Sequence, residues 1–513
     1  MIANRPRIDR FDLIVLAAFV GVSLWVLGLD LWQVIVGGRH WTGTDGVLPQ
    51  DQMQYLAWIR AASQHGLASN LFVLRPTPAD YFQPVIEASG GISALGIAPW
   101  LALLLWKPVA VGMAFLAIRA YVRRSLAGRW PRRAALVLAL FFGFVGLAPD
   151  LYLPFWTWGY PFELIALAAM LGALLAYDRS SAEHRVSWIA PVLGALTSSL
   201  HPWQGETLIL MVILAEGAMR TARTGPRRSP ALAATTVIGT AIPLLYYAIL
   251  DRVDVSWRLA QIASRGTASL PDIALALAPL AVPALLAYRR RPTTVIAAAT
   301  RAWPPAALAV FLLSETQFGG TPLHAFAASS VPLSVLAVEG ISVVGLASPT
   351  RRRSRALRGQ RALVASLAVA AATLPATLHE LQAAEKLARP TPEDANFIAG
   401  PEREALRYLA GDRQSGGVIT RFYLGTIVPA QTGRRTFVGN CYWSQPNCPQ
   451  RAEITAQLFQ GSLAPRVARA FVVSSHARFV LSDCQTRANM VRLLGPIIRS
   501  VHRFGCASVY AVD

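Results

Sequence analysis

The placement of charge relative to apolar runs constrains this chain more than any other feature. Apolar stretches of mostly 15–23 residues, roughly the length that crosses a hydrocarbon layer, recur from Phe11 to about Leu378. Every second gap between them is dense in arginine, as at Arg119, Arg123, Arg124, Arg129, Arg132 and Arg133, or at Arg289, Arg290 and Arg291. The other gaps carry acids and histidines and only scattered arginine, never a cluster. That alternation is the positive-inside pattern of a multi-pass membrane protein, and it predicts orientation as well as class.

Composition agrees. Of 513 residues, 54% are apolar and 15% charged, with mean hydropathy +0.41. Soluble domains are rarely this apolar. A net charge of +20 invites a nucleic-acid reading. However, the basic residues lie in short loops between apolar runs, not on one face with interleaved aromatics, so no nucleic-acid partner is expected. Lysine occurs only at Lys107 and Lys386, and with the abundant alanine this suits a GC-rich bacterial genome. Arg5, Arg7 and Arg10 precede an apolar run too long for a cleavable signal, so the first helix is expected to be retained with its start in the cytoplasm.

The expected fold is a polytopic α-helical membrane protein with a C-terminal extracytoplasmic α/β domain. About eleven transmembrane helices are predicted, near 11–36, 99–121, 134–148, 160–177, 187–200, 205–219, 231–250, 271–288, 303–313, 324–346 and 362–378. An odd count puts the C-terminus outside the plasma membrane. Residues 1–378 then form the transmembrane domain, with a long first outward loop at 37–91, and 379–513 form the outer domain. Short strand-like runs fall at 418–423, 436–438, 479–481 and 508–512, and helical spacing at 452–460 and 487–494. Cys441, Cys448, Cys484 and Cys506 all lie beyond residue 440, which suggests two disulfides formed in an oxidising compartment. Free thiols and a four-cysteine zinc site are the alternatives; the latter lacks paired C-x-x-C spacing. The expected pairing is Cys441–Cys448 and Cys484–Cys506. The absence of a fixed-period repeat weakens a transporter built from repeats.

Candidate chemistry lies in the arginine-poor gaps. The first contains Asp45 and Asp51, with Asp51 opening an amphipathic stretch. One of them acts as general base on an acceptor hydroxyl or binds a divalent cation such as Mg or Mn; otherwise Asp51 caps a helix and Asp45 sits in a turn beside Gly46. The turn His201-Pro202-Trp203-Gln204-Gly205-Glu206 places a histidine, an indole and a carboxylate between two apolar helices. Such groups line a cavity that contacts phosphate or sugar, or they form an interfacial turn. His324 ends another basic-free gap, and Asp150 with Tyr152, Phe155, Trp156, Trp158 and Tyr160 forms a further rim, read mainly as belt anchors. P-loop, dinucleotide and nucleophile-elbow motifs are not evident.

This layout resembles the bacterial membrane glycosyltransferases of the GT-C superfamily. An uncharacterised subgroup is closer still. Here its acid, Tyr-Leu, Arg and Asn-Leu-Phe pattern is matched by Asp51, Tyr55-Leu56, Arg60 and Asn70-Leu71-Phe72, and its His-Pro turn by His201-Pro202. Its C-terminal Gly-Arg-Arg and Val-Gly segment is matched by Gly433-Arg434-Arg435 and Val438-Gly439. The turn departs in being His-Pro-Trp, and the paired acids are not adjacent. The resemblance implies transfer of a sugar from a polyprenyl-phosphate-sugar, approached from the lipid bilayer, to a cell-envelope glycan or glycolipid. Asp51 or Asp45 would be the base, and Arg60, Arg75, His201 or His324 would meet the phosphate. The carboxylates and the His-Pro-Trp turn are expected to share one cavity. The rival is a non-catalytic lipid or glycan transporter or envelope assembly subunit.

Overall fold

A computed structural model describes residues 8–143, 151–221, 230–266, 268–316, 319–346 and 355–513. The chain divides into two compact units. One comprises Met1–Trp25, Lys107–Ala248 and Arg265–Ala384; the other comprises Val26–Trp106, Ile249–Ser264 and Glu385–Asp513. The second unit therefore joins the 37–91 segment to the C-terminal residues.

Among the described residues, seven helices are long and apolar enough to cross a membrane: Pro99–Ser125, Pro161–Glu183, Pro230–Val253, Leu270–Arg289, Val295–Ser314, Pro322–Ser342 and Leu363–Leu387. The bent pair Arg10–Ser23 and Trp25–Ile35 makes eight if it is one span. Of the remaining expected segments, Arg129–Phe141, Ile189–Leu200 and Pro202–Thr221 are helical, but too short or too polar to count on length and composition. A helix that is apolar all round is driven into the interior. Pro161–Glu183 is buried along most of its length, whereas Pro230–Val253 and Leu363–Leu387 leave Ile238, Ile242, Leu245, Leu367 and Leu378 exposed. Lipid would cover that surface.

The first predicted helix is not straight. It bends by 46° at Leu24. Ser23 Oγ donates to the Val20 carbonyl at 2.7 Å, and Lys107 Nζ donates to the Ser23 carbonyl at 2.6 Å. The Val20 carbonyl keeps its helical partner, the Leu24 N–H, at 3.0 Å, whereas the Ser23 carbonyl at the bend is taken by the Lys107 ammonium, and a side chain inserted into the ladder is a recognised cause of kinks. Lys107 also donates to the Thr157 carbonyl at 2.7 Å. Near the start of the same helix, Asp12 is buried and accepts from Arg119 at 2.8 Å and Arg123 at 3.0 Å. The span expected at 303–313 starts earlier: Val295–Ser314 is one helix, despite Pro304 and Pro305 within it.

The C-terminal segment contains a four-stranded sheet in the spatial order Val418–Ile419, Phe479–Ser482, Ala507–Val512, Ile498–Phe504. The first pair is parallel and the others antiparallel. Ile419, Val480, Tyr510 and Val512 pack with Leu458, Phe459, Val472, Met490 and Leu494 in its core. The expected strand at 418–423 stops at Ile419, and Phe422–Thr432 is a helix. Almost every residue of that helix is buried, so its apolar run has no period to separate helix from strand. Gly433, at φ +74°, ends it. Inside it, Gly425 meets the backbone of Val438 and Gly439 so closely that any side chain at either glycine would overlap main-chain atoms. Two cysteine pairs are bonded, Cys441–Cys448 and Cys484–Cys506.

Loop-closure entropy grows with the logarithm of loop length, and the two disulfides span 7 and 22 residues. Replacing Cys484 and Cys506 by serine is therefore expected to destabilise the protein by about 1 kcal/mol more than replacing Cys441 and Cys448. Thermal unfolding of the two double variants, followed by intrinsic fluorescence, measures the difference; equal losses would contradict the entropic account.

Candidate functional site

Candidate residues fall in both units, and each set is described within its own. In the second unit, the approach to Asp45 is stitched to residues near 396. His40 and Trp41 pair antiparallel with Ile398 and Phe397. Asn396 donates to the buried carboxylate of Asp30 at 2.8 Å, accepts from Trp41 Nε1 at 3.0 Å and meets the Thr44 hydroxyl. Gly43 has φ +98°, and a side chain there would strike Trp100, so glycine is required on both counts. Asp45 follows this knot. It is buried, and its backbone N–H donates to Gln52 Oε1 at 3.1 Å.

Asp51 lies in the first turn of the helix Pro49–His65 and is half-buried. It is not the cap that the sequence allowed. The N-cap is Leu48, without a side-chain cap, because Pro49 suits the first helical position and starts the helix earlier. The Asp51 carboxylate is favoured there by the helix dipole. Arg60, further along, is half-buried and donates to the Gln431 carbonyl at 3.4 Å; burial lowers its pKa. Arg75 is exposed.

The motif Asn70-Leu71-Phe72 contacts the C-terminal segment directly. Asn70 Nδ2 donates to the Trp443 carbonyl at 2.9 Å, the Thr436 N–H to the Leu71 carbonyl at 2.9 Å, and the Ser444 hydroxyl to the Phe72 carbonyl at 3.0 Å. Beside it, Trp58, Tyr81, Trp257 and Trp443 form an aromatic cluster. Sequence reasoning did not single out two acids of this unit. Burial, and then the neighbouring Asp254, push the Asp80 carboxyl up to about 6. Burial pushes Glu87 up to about 7.

In the first unit, His201 ends the helix Ile189–Leu200 with its N–H donating to the Thr197 carbonyl at 2.8 Å. Pro202 disfavours helical backbone at the preceding residue, so His201 is extended and the chain restarts as Pro202–Thr221. The Gln204 N–H is shared between the His201 carbonyl at 3.1 Å and His201 Nδ1 at 3.3 Å. His324 lies in the 3₁₀ turn Pro322–Phe326, and Trp203 Nε1 donates to the nearby Gly320 carbonyl at 3.0 Å. The structure thus brings His201, Trp203 and His324 together. The two imidazole planes are parallel to within 1°, with centroids 5.4 Å apart, and Trp203 packs 5.2 Å from one and 4.9 Å from the other.

Glu163 completes this group, and sequence reasoning missed it. It lies in the first turn of Pro161–Glu183, and its carboxylate and the two imidazoles offer ligand atoms within 4.8 Å of one another. The signal was present: a lone acid inside an apolar run is costly unless it has a task. Among the described residues this is where three possible metal ligands converge, and neither Asp45 nor Asp51 is included. Glu206 lies just beyond the first turn of Pro202–Thr221. Asp150 falls outside the described residues. Tyr152, Phe155, Trp156, Trp158 and Tyr160 are all buried. They are interior packing rather than belt anchors, since the short helix Leu153–Trp156 is buried throughout.

No family model matches the chain, and no curated protein matches it. Solved structures do. The archaeal oligosaccharyltransferase AglB from Archaeoglobus fulgidus, in complex with an inhibitory peptide and a dolichol-phosphate, is similar at 14% identity and TM-score 0.55, over 94% of this chain and 70% of that one. ArnT from Cupriavidus metallidurans is similar at 13% identity and TM-score 0.51, over 97% of both chains. The arabinofuranosyltransferase AftD from Mycobacteria is similar at 15% identity and TM-score 0.53, over 98% of this chain and 41% of that one. These are GT-C glycosyltransferases, and the chain has the GT-C fold.

Glu87 makes the stability of this fold pH-dependent. Its folded pKa of about 7 lies above the ordinary value of 4.5. Its contribution is therefore fully present below the ordinary value and is lost as pH rises through about 7. The melting temperature of the wild-type protein should fall across that window, and Glu87→Gln should flatten the fall. An unchanged pH profile in the variant would show that Glu87 is not the group responsible.

Proposed function

We propose that this GT-C-fold chain is a multi-pass glycosyltransferase of the bacterial plasma membrane, moving a sugar from a polyprenyl-phosphate-sugar to an extracytoplasmic cell-envelope glycan or glycolipid. The observation that carries the reading is the extent of the likeness. A fold shared with three sugar-transferring membrane proteins runs over 94% to 98% of this chain. The exposed apolar helix surface suits a substrate whose tail arrives through lipid.

The chemistry needs a base for the acceptor hydroxyl, within about 3 Å directly or through one water. It also needs partners for the phosphate that leaves the anomeric carbon. Asp51 is the first choice as base, because the helix N-terminus beside it could also hold phosphate, and the buried Asp45 is the second. Arg75 is exposed and suits a phosphate. Arg60, His201 and His324 are further candidates, with Trp203 stacking on the sugar and Glu206 and Asp150 contacting it. The arginine alternation supports an N-terminus in the cytoplasm and a C-terminus outside.

With a polyprenyl-phosphate-sugar supplied to the reconstituted protein, Asp51→Asn should lower turnover by about 100-fold or more while lipid binding changes little. Wild-type turnover from the Asp45→Asn, Asp51→Asn double variant would overturn the catalytic reading and favour the transporter or assembly-subunit alternative. A reporter fused after Asp513 should be active only outside the cytoplasm; cytoplasmic activity would overturn the orientation.

A further inference from the structure

We propose that Glu163, His201 and His324 form a binding site for a single divalent transition-metal ion of the zinc class. The three side chains come from separate parts of the fold: the first turn of Pro161–Glu183, the junction between Ile189–Leu200 and Pro202–Thr221, and the turn Pro322–Phe326. Their ligand atoms lie within 4.8 Å of one another. A tetrahedral ion with bonds of about 2.0–2.1 Å brings its ligands to about 3.3 Å apart, so the set closes with donor movements of about 1 Å.

A second observation points the same way. His201 is 2% exposed, and both His201 Nε2 and His324 Nδ1 are buried without a hydrogen-bond partner among the described residues. Buried polar nitrogens are rarely left unpaired. One cation would satisfy both lone pairs and balance the carboxylate of Glu163. The rings are also held in place. Trp203 packs against both and is tied to the Gly320 carbonyl, and Trp156 lies 6.0 Å from His201.

The donor set selects the metal. Two imidazoles and one carboxylate suit zinc and its neighbours, whereas magnesium prefers an octahedron of oxygens. Three protein ligands leave a fourth position for an oxygen ligand. Ligation through His201 Nε2 puts the proton on Nδ1 and gives up the 3.3 Å contact with the Gln204 N–H. That amide keeps the His201 carbonyl at 3.1 Å, so it is not stranded. The site is independent of the transferase reading, because occupancy is measured without turnover.

The full-length protein in detergent, prepared without a polyhistidine tag and stripped with chelator, is dialysed against zinc and its metal content measured. We expect one equivalent of zinc per chain, and no displacement by a large excess of magnesium. His201→Gln, His324→Gln and Glu163→Gln should each weaken zinc binding at least about tenfold. His476→Gln, at an exposed histidine, should leave it unchanged. X-ray absorption at the zinc edge of the wild-type protein should show two imidazoles among four light-atom ligands, and this needs no variant to fold. Absence of stoichiometric zinc, an all-oxygen shell, or undiminished affinity in a folded His201→Gln, His324→Gln double variant would each overturn the proposal.

Discussion

A polar group inside an apolar helical bundle must find its partner within the protein, and the first unit is organised by that constraint. Lys107 is one of two lysines in the chain. Its ammonium is spent on two main-chain carbonyls, Ser23 and Thr157, joining the first helix to the segment after the third. Asp12 takes two arginines from Trp106–Ser125. Asp178 accepts from Arg124 at 2.7 Å, and Arg301 reaches Glu339 at 2.6 Å. Removing one partner of such a pair leaves an uncompensated buried charge, which is why these contacts restrict how the helices pack.

The second unit uses the same principle with backbone groups. Arg434 donates to the carbonyls of Leu409, Asp412 and Gln414, each at 2.7 Å, and lies over the Phe479 ring. Asn70 and Ser444 join the residues after Pro49–His65 to the segment after Val438. Several residues that carried the family resemblance are thus structural. Gly433 ends a helix, Gly439 permits close backbone approach, and Arg434 binds three carbonyls at the end of the helix Gly400–Gly411 and just after it. Motif residues can be retained by a fold for what they hold in place, without touching a substrate.

The histidine cluster shows the opposite case. His201 is positioned by purely local rules: a proline after it, an extended backbone and a helix restarting beyond. Nothing local brings it to His324, more than a hundred residues later, or to Glu163 before it. Only the packing of Pro161–Glu183, Pro202–Thr221 and the turn at Pro322–Phe326 assembles them. The aromatic residues from Tyr152 to Tyr160 were read as surface anchors for a related reason. Their composition suits a membrane interface equally well, and burial is decided by neighbours the local sequence does not name.

The sequence by itself determined the membrane class, because hydrocarbon thickness sets a minimum apolar length that arginine clusters punctuate. It also placed the cysteines in one segment and marked His201, Asp45 and Asp51 as polar groups needing a reason. Tertiary structure alone decided the rest. The 46° bend at Leu24 depends on a lysine 84 residues beyond Ser23. The helix Phe422–Thr432 is buried on all sides, and the absence of polar alternation erases its period. Asp51 is not the cap because Pro49 starts the helix two residues earlier. Glu163 joined two histidines through contacts that no sequence spacing encodes. Periodicity and charge report how a segment meets its solvent, whereas partners in a packed interior are chosen by the fold as a whole.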